Sequence, residues 1–225
     1  WSVRNEELLN TASSFGHHMG SILSEGCYII AEIGVNHNGE FELAKELIKE
    51  AADTGVDAVK FQTFAAEELV TPDAEKAEYQ HREAVETQYE MLKKYELSKD
   101  EFERLRSISH SYNLDFISTP YDPTSVELLS EVGVDAYKIA SADLINKPLI
   151  EAVAEQPAPL ILSTGMATLG EIERTMGWLD GLDKQNVCLL YCVSCYPTDP
   201  EDVDLAFMET LETAFDVPVG FSDHT

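Results

Sequence analysis

Two lysines stand where a buried strand should be apolar. Lys60 lies between Val59 and Phe61 in "DAVKFQT", and Lys138 lies inside "AYKIAS". An ammonium in an apolar wall is costly unless it meets an anion or an acid. Hydroxyls sit at the ends of neighbouring strand-like runs: Thr119, Ser141, Ser163 and Ser222. Two cations ringed by hydroxyls suit a ligand that carries a phosphate and a carboxylate. One lysine alone could instead form a Schiff base with a carbonyl substrate. The plain alternative is a lysine that pairs with a buried acid or snorkels to water.

His224 follows the same logic. It ends the chain's last strand-like run beside Ser222 and Asp223, where a neutral imidazole can ligate a divalent cation. A lone histidine near a strand end is more often a hydrogen-bonded core residue than a ligand. His37 falls in the loop after the first strand, near the same rim. His110 falls on an outer helix, His81 in a long loop, and His17 and His18 near the N-terminus. Cys192 and Cys195 have C-x-x-C spacing, which raises zinc or redox chemistry. They lie in a strand-like run with Cys188, which points to small core residues instead.

The elements that must position these groups are legible. Seven β-rich runs recur at 28–34, 57–63, 115–120, 136–141, 160–165, 187–194 and 219–223. Most are nearly continuously apolar, as parallel strands under helices are. Helical patterns follow them with clear edges. Ser98 with Glu101 and Thr168 with Glu171 form capping boxes, and Asp122-Pro123 reads as an N-cap with proline at the first helical position. No glycine-rich phosphate loop follows the first strand. Polar residues end almost every strand instead: Glu32 and Asn36, Lys60 and Gln62, Thr119, Lys138 and Ser141, Ser163 and Thr164, Ser194 and Tyr196, then Ser222, Asp223 and His224. Convergence from every strand onto one rim predicts the mouth of a (β/α)8 TIM-type barrel rather than a doubly wound sheet. The pattern stops after strand 7, so the barrel is expected to be truncated there. Residues 27–225 form the expected barrel domain. Residues 1–26 lack a secretory pattern and read as a flexible extension. Residues 64–97 form an unusually long connection on the mouth side.

Composition narrows the partners. The 225 residues hold 42 acidic against 15 basic side chains, a net charge of −27, with 44% hydrophobic residues. No basic patch is available for nucleic acid or an anionic membrane. No apolar run is long enough to span a bilayer. The acids are spread over helical faces, which suggests adaptation to high salt, and a cytoplasmic setting is expected.

Seven ordered blocks carry a resemblance: "IAEIGVNHNG" (30–39), "VDAVKFQT" (56–63), "FISTPYD" (116–122), "YKIASAD" (137–143), "ILSTGMAT" (161–168), "CVSCYPT" (192–198) and "GFSDHT" (220–225). Together they resemble the sialic acid synthase family, whose members include legionaminic and pseudaminic acid synthases. The resemblance implies a TIM barrel followed by an antifreeze-like domain that reaches the active site of a dimer partner. It implies a transferase that condenses phosphoenolpyruvate with N-acetylmannosamine or a related acylamino sugar, giving a nonulosonic acid and phosphate. It assigns the phosphoenolpyruvate site to Lys60, Thr119, Lys138, Ser141, Ser163, Ser194 and Ser222. It assigns sugar contacts to Gln62, Asp143 and Tyr196, and puts Glu32 near the reacting centre. His224 becomes one of two histidines on a divalent cation, Mn2+ or else Mg2+, the second belonging to strand 8. Tyr191 stands where some relatives have histidine and Ser194 where some have asparagine, which leaves the acceptor sugar open. The competing readings are a Schiff-base lysine aldolase and a non-catalytic barrel fragment.

Overall fold

The computed structural model describes residues 27–72, 87–181 and 186–225. The expected extension at 1–26 lies outside the described residues, as do His17, His18 and His81. Seven strands form one sheet: β1 (Ile30–Gly34), β2 (Ala58–Thr63), β3 (Asp115–Pro120), β4 (Ala136–Ile139), β5 (Leu160–Ser163), β6 (Val187–Tyr191) and β7 (Val219–Phe221). Every neighbouring pair is parallel. The strand order is β1-β2-β3-β4-β5-β6-β7 without a reversal. A doubly wound sheet would reverse at a switch point. This sheet instead curls, so that side chains from β1 and from the end of β7 line one cavity. Among the described residues β1 and β7 are the two edges of this α/β half-barrel.

The helices are α1 (Phe41–Asp53), α2 (Ala66–Leu69), α3 (Gln88–Tyr95), α4 (Lys99–Ser111), α5 (Pro123–Val132), α6 (Lys147–Ala154), α7 (Leu169–Trp178) and α8 (Phe207–Phe215). The capping boxes of α4 and α7 form as the spacing predicts, and Asp122 caps α5. The connection 64–97 is not structureless in its described parts. It contains α2 and α3, and Thr87 with Glu90 gives α3 a third capping box. None of the described helices is long and apolar enough to cross a membrane.

Strand alternation separates two interiors. The odd-numbered side chains of β2, Val59 and Phe61, face the helices. There Phe61 stacks on Phe116 at 5.2 Å, and Phe102 of α4 meets both rings edge-on at 6.4 Å. Burial of each such ring contributes about 1.5–3 kcal/mol. The even-numbered side chains face the concave side. A small apolar cluster of Ala58, Ile117, Ala136 and Ile161 fills its lower part, with Ile30, Cys188 and Leu190 against it. Lys60 and Lys138 stand above that plug, one inward position further along their strands.

Several strands end sooner than the residue pattern suggested. The β4 ladder stops at Ile139, and Ser141 opens a 3-10 turn, Ser141–Asp143. The β6 ladder stops at Tyr191 rather than at Ser194. Beyond those points hydroxyls replace ladder partners, for example where the Gly165 amide donates to Ser141 Oγ at 3.2 Å.

Candidate active site

The concave face opens at the C-terminal ends of the strands into a cavity of about 240 Å3. Glu32 of β1, Lys60 and Gln62 of β2, Thr119 of β3 and Lys138 of β4 line it. The loops add Ser141, Ser163 closes the β5 side, and Tyr196, Ser222 and His224 complete the wall. A second depression, at the ends of α6 and α7, is larger at about 430 Å3 but open to solvent. Its polar groups are the carboxylates Glu151, Glu155 and Asp180, with no cation among them.

The two lysines meet different partners. The Lys60 ammonium is ion-paired with the Glu32 carboxylate. Lys138 is only 5% exposed, and its ammonium donates to the Ile139 carbonyl at 2.7 Å and to the Ser163 hydroxyl. Burial first, and then the charge of Lys60, pull the Lys138 ammonium down to about 7. Glu32, Cys188 and Cys192 act in the opposite direction. At the far side, Ser222 Oγ and His224 Nε2 are 3.1 Å apart, and the Tyr196 ring meets the imidazole edge-on at 4.6 Å. Burial lowers the pKa of His224 below that of a free imidazole, with Glu32 pulling the other way. The shift favours the neutral imidazole, the form that can donate a lone pair.

Two candidate residues stand off the lining. Asp143 sits in the turn after Ser141 and accepts from Asn146 Nδ2 at 3.1 Å. Ser194 lies behind the wall with its hydroxyl buried and directed at the α-carbon of Gly165, whose missing side chain leaves room for it. Other rim residues turn away. Thr164 bonds to the Leu190 carbonyl at 3.0 Å. Asp223 is exposed and accepts from the Thr225 amide. His37 does not reach the mouth. It is buried on the helix side, 6.0 Å from the Phe61 ring, with Nδ1 accepting from the Gly39 amide.

Tyr121 and Cys192 line the cavity although the sequence reading did not single them out for it. Both lie at inward parity, two residues past Thr119 and two past Leu190. Cys192 is therefore a wall residue, 3.2 Å from Ser141 Oγ, rather than a core filler.

The NeuB family model matches residues 47–225. The chain belongs to this family of sialic acid synthases. It is 45% identical to the N,N'-diacetyllegionaminic acid synthase of Legionella pneumophila over 88% of this chain and 58% of that protein. It is 39% identical to the N-acetylneuraminate-9-phosphate synthase of Drosophila melanogaster over 90% of this chain and 55% of that one. Among solved structures, the N-acetylneuraminic acid synthetase of Leptospira borgpetersenii in complex with citrate superposes with a TM-score of 0.77 at 36% identity, covering 88% of this chain and 65% of that one. The chain thus spans somewhat more than half the length of the curated relatives it matches.

One departure within the sialic acid synthase family loses its bearing on the acceptor. The Tyr191 ring points to the helices, stacked on Phe221 at 5.8 Å, and its hydroxyl accepts from the Asp204 amide at 2.9 Å. A histidine at this position of a relative would also face outward on this backbone. For a metal, the donors fit only in part. His224 offers an imidazole and Glu32 is the nearest acid on the wall, but the described residues contain no group of three or more His, Cys, Asp or Glu able to hold an ion.

Proposed function

We propose that this chain carries the condensing site of a synthase that joins phosphoenolpyruvate to an acylamino sugar, N-acetylmannosamine or a relative of it, releasing phosphate and a nonulosonic acid. The observation that carries this reading is the pair Lys60 and Lys138 over an apolar plug, with the hydroxyls of Thr119, Ser141, Ser163 and Ser222 on the same cavity wall. Such a wall binds a small dicharged ligand and excludes water beneath it.

The residues then divide the task. Lys138 and Ser163 hold one anionic group of the donor. Lys60 exchanges its bond to Glu32 for a bond to the other. Gln62 and Tyr196 border the space left for the sugar, and Asp143 enters it only by a change of the Ser141–Asp143 turn. The π pair of the donor's carbon–carbon double bond forms a bond from its methylene carbon to the carbonyl carbon of the open-chain sugar, whose own π pair moves to oxygen and takes up a proton to become a hydroxyl. Water adds to the resulting cationic carbon, and the carbon–oxygen bond to phosphate breaks. Glu32 is the carboxylate within reach to take the proton from that water. His224 is read as one ligand of a divalent cation, Mn2+ or Mg2+, whose remaining donors lie outside the described residues or are water. Such an ion would polarise the sugar carbonyl. Positioning by the protein side chains supplies the rest.

The test is phosphate release by the full-length protein from phosphoenolpyruvate plus acceptor sugar, with and without a chelator. Phosphate release that requires both substrates is expected. No release with any acylamino sugar overturns the reading. One observation favours a second chemistry: a buried lysine lowered to about 7 is what a Schiff-base enzyme needs. Borohydride trapping with pyruvate separates the two, because the aldolase would be labelled at Lys138 and the synthase would not.

A further inference from the structure

The carboxylate of Asp122 is 3% exposed and accepts three hydrogen bonds. Two are local. The Ser125 amide donates to Oδ1 at 2.7 Å, which is the ordinary N-cap of α5, and the Ser125 hydroxyl donates to Oδ2 at 2.7 Å. The third is not local. The Ala65 amide, 57 residues earlier in the chain, donates to Oδ2 at 3.0 Å. An N-cap needs one oxygen. The second oxygen has been recruited to hold the backbone just past the end of β2.

Other bonds join the same two strand ends. Thr63 Oγ1 and Ser118 Oγ are 2.7 Å apart, both buried, and the Tyr121 amide donates to the Thr63 carbonyl at 3.1 Å. The next amide, Ala66, is held by Glu96 Oε1 at 2.7 Å. The first turn of the long connection is therefore fixed by two carboxylates distant in sequence, Asp122 from beyond β3 and Glu96 from the far end of the connection itself. Gln62 and Tyr121, the cavity residues nearest these bonds, are each within three residues of a clamped atom. The Phe64 and Tyr121 rings meet edge-on above them at 6.3 Å.

We propose that Asp122 is a positioning residue: through the Ala65 amide it ties the exit of β2 to the exit of β3, and so sets where Gln62 and Tyr121 stand on the wall that receives the acceptor sugar. The assignment of that wall to the acceptor rests on the condensing reading above. The tie itself does not. Of the donor site, Lys138, Ser163 and Ser141 stand across the cavity, and Lys60 and Thr119 lie within the β2–β3 ladder, short of the tied ends, so the donor site depends on the tie less than Gln62 and Tyr121 do.

The test is Asp122→Ser in the full-length protein. Serine is a good N-cap and keeps the bond from the Ser125 amide, but it is too short to reach Ala65. The expected result is a rise in acceptor KM of about tenfold or more, with donor KM within about twofold, as a misplaced positioning group produces. Amide hydrogen exchange at residues 64–70 should accelerate while the melting temperature moves little. Ser125→Ala is the control, since it leaves both the cap and the Ala65 bond in place, and it should behave as wild type. An Asp122→Ser protein that loses stability yet keeps acceptor KM and the exchange of 64–70 overturns the proposal. So does equal loss of donor and acceptor binding. A wild-type protein with no condensing activity sinks the functional reading, but the exchange measurement still decides the clamp.

Discussion

The ammonium of Lys138 donates to the hydroxyl of Ser163, one strand over, while Glu32, the only carboxylate on the cavity wall among the described residues, is engaged by Lys60. The deeper cation thus has neutral partners, and the shallower one has an acid. That asymmetry gives the free protein one lysine, Lys138, poised to lose its proton.

The pH dependence follows from linkage. The folded Lys138 titrates at about 7. Unfolded lysine titrates at about 10.4, so between these values the unfolded chain binds more protons and stability rises with pH. Donor binding goes the other way. An anion at Lys138 restores the ammonium, so binding takes up a proton in that window. Affinity for phosphoenolpyruvate should fall by up to about tenfold per pH unit above pH 7. Calorimetry on the full-length protein in buffers of different ionisation enthalpy reads the uptake directly. Lys138→Arg, always charged, should bind with that uptake gone. Equal proton uptake in wild type and Lys138→Arg would rule out Lys138 as the group.

On the proposed function, Glu32, ion-paired with Lys60, would compete with the donor for it. Its carboxylate also presents a negative charge to an incoming anion. Glu32→Gln should therefore bind phosphoenolpyruvate as tightly as wild type or up to about tenfold more tightly. Turnover should drop by about 100-fold or more if the carboxylate takes a proton during the reaction. Weaker donor binding in Glu32→Gln would show that the ion pair preorganises Lys60 rather than masking it.

Strand existence and order were legible because each strand faces helices with one parity and the concave side with the other. Val59 and Phe61 against Lys60 and Gln62 show both parities in four residues. Parity also explains where residues stand away from the expected rim. Tyr191 shares the outward parity of Val187 and Leu189, so its turn toward the helices was readable in principle. Ser194 counts as inward, but the ladder ends at Tyr191 and the count loses meaning beyond it. His37 follows the irregular register between Glu32 and Gly34, where no alternation applies. Helix α3 was announced by Thr87 and Glu90 but lay inside a stretch read as loop. The clamp at Asp122 could not be read, because a capping aspartate gives no sign of what its second oxygen will meet.

Net charge makes a prediction about stability alone. A chain at −27 carries self-repulsion that salt screens, the Debye length falling to about 3 Å at 1 M. The melting temperature should rise steadily from dilute buffer to about 1 M potassium chloride, where the screening is strongest. A guanidine-free thermal series followed by circular dichroism is sufficient. A flat series would mean that the acids left without a basic partner repel one another too weakly to limit stability, and would overturn the prediction.

Gly165 is the point on which two side chains of the cavity wall, Ser141 and Cys192, converge with Ser194 behind them. A β-carbon there would stand 2.4 Å from Ser194 Oγ, 2.9 Å from Ser141 Oγ and 3.0 Å from Cys192 Sγ. All three are side-chain tips that can rotate away, so the fold should survive Gly165→Ala at a cost of about 1–3 kcal/mol. The site should suffer more. Ser141 accepts from the Gly165 amide and lines the cavity, so its displacement moves a hydroxyl that the proposed function gives to the donor's anion. Donor KM should rise about tenfold or more, as displaced positioning groups produce. Ser194→Ala removes the nearest clashing atom. Placed in the same chain as Gly165→Ala, it should recover most of the lost melting temperature while the Ser141 contact leaves part of the donor defect. Non-additivity of this kind marks a direct contact. If the two changes simply add, in melting temperature and in donor KM alike, the crowding around Gly165 is not what shapes this wall.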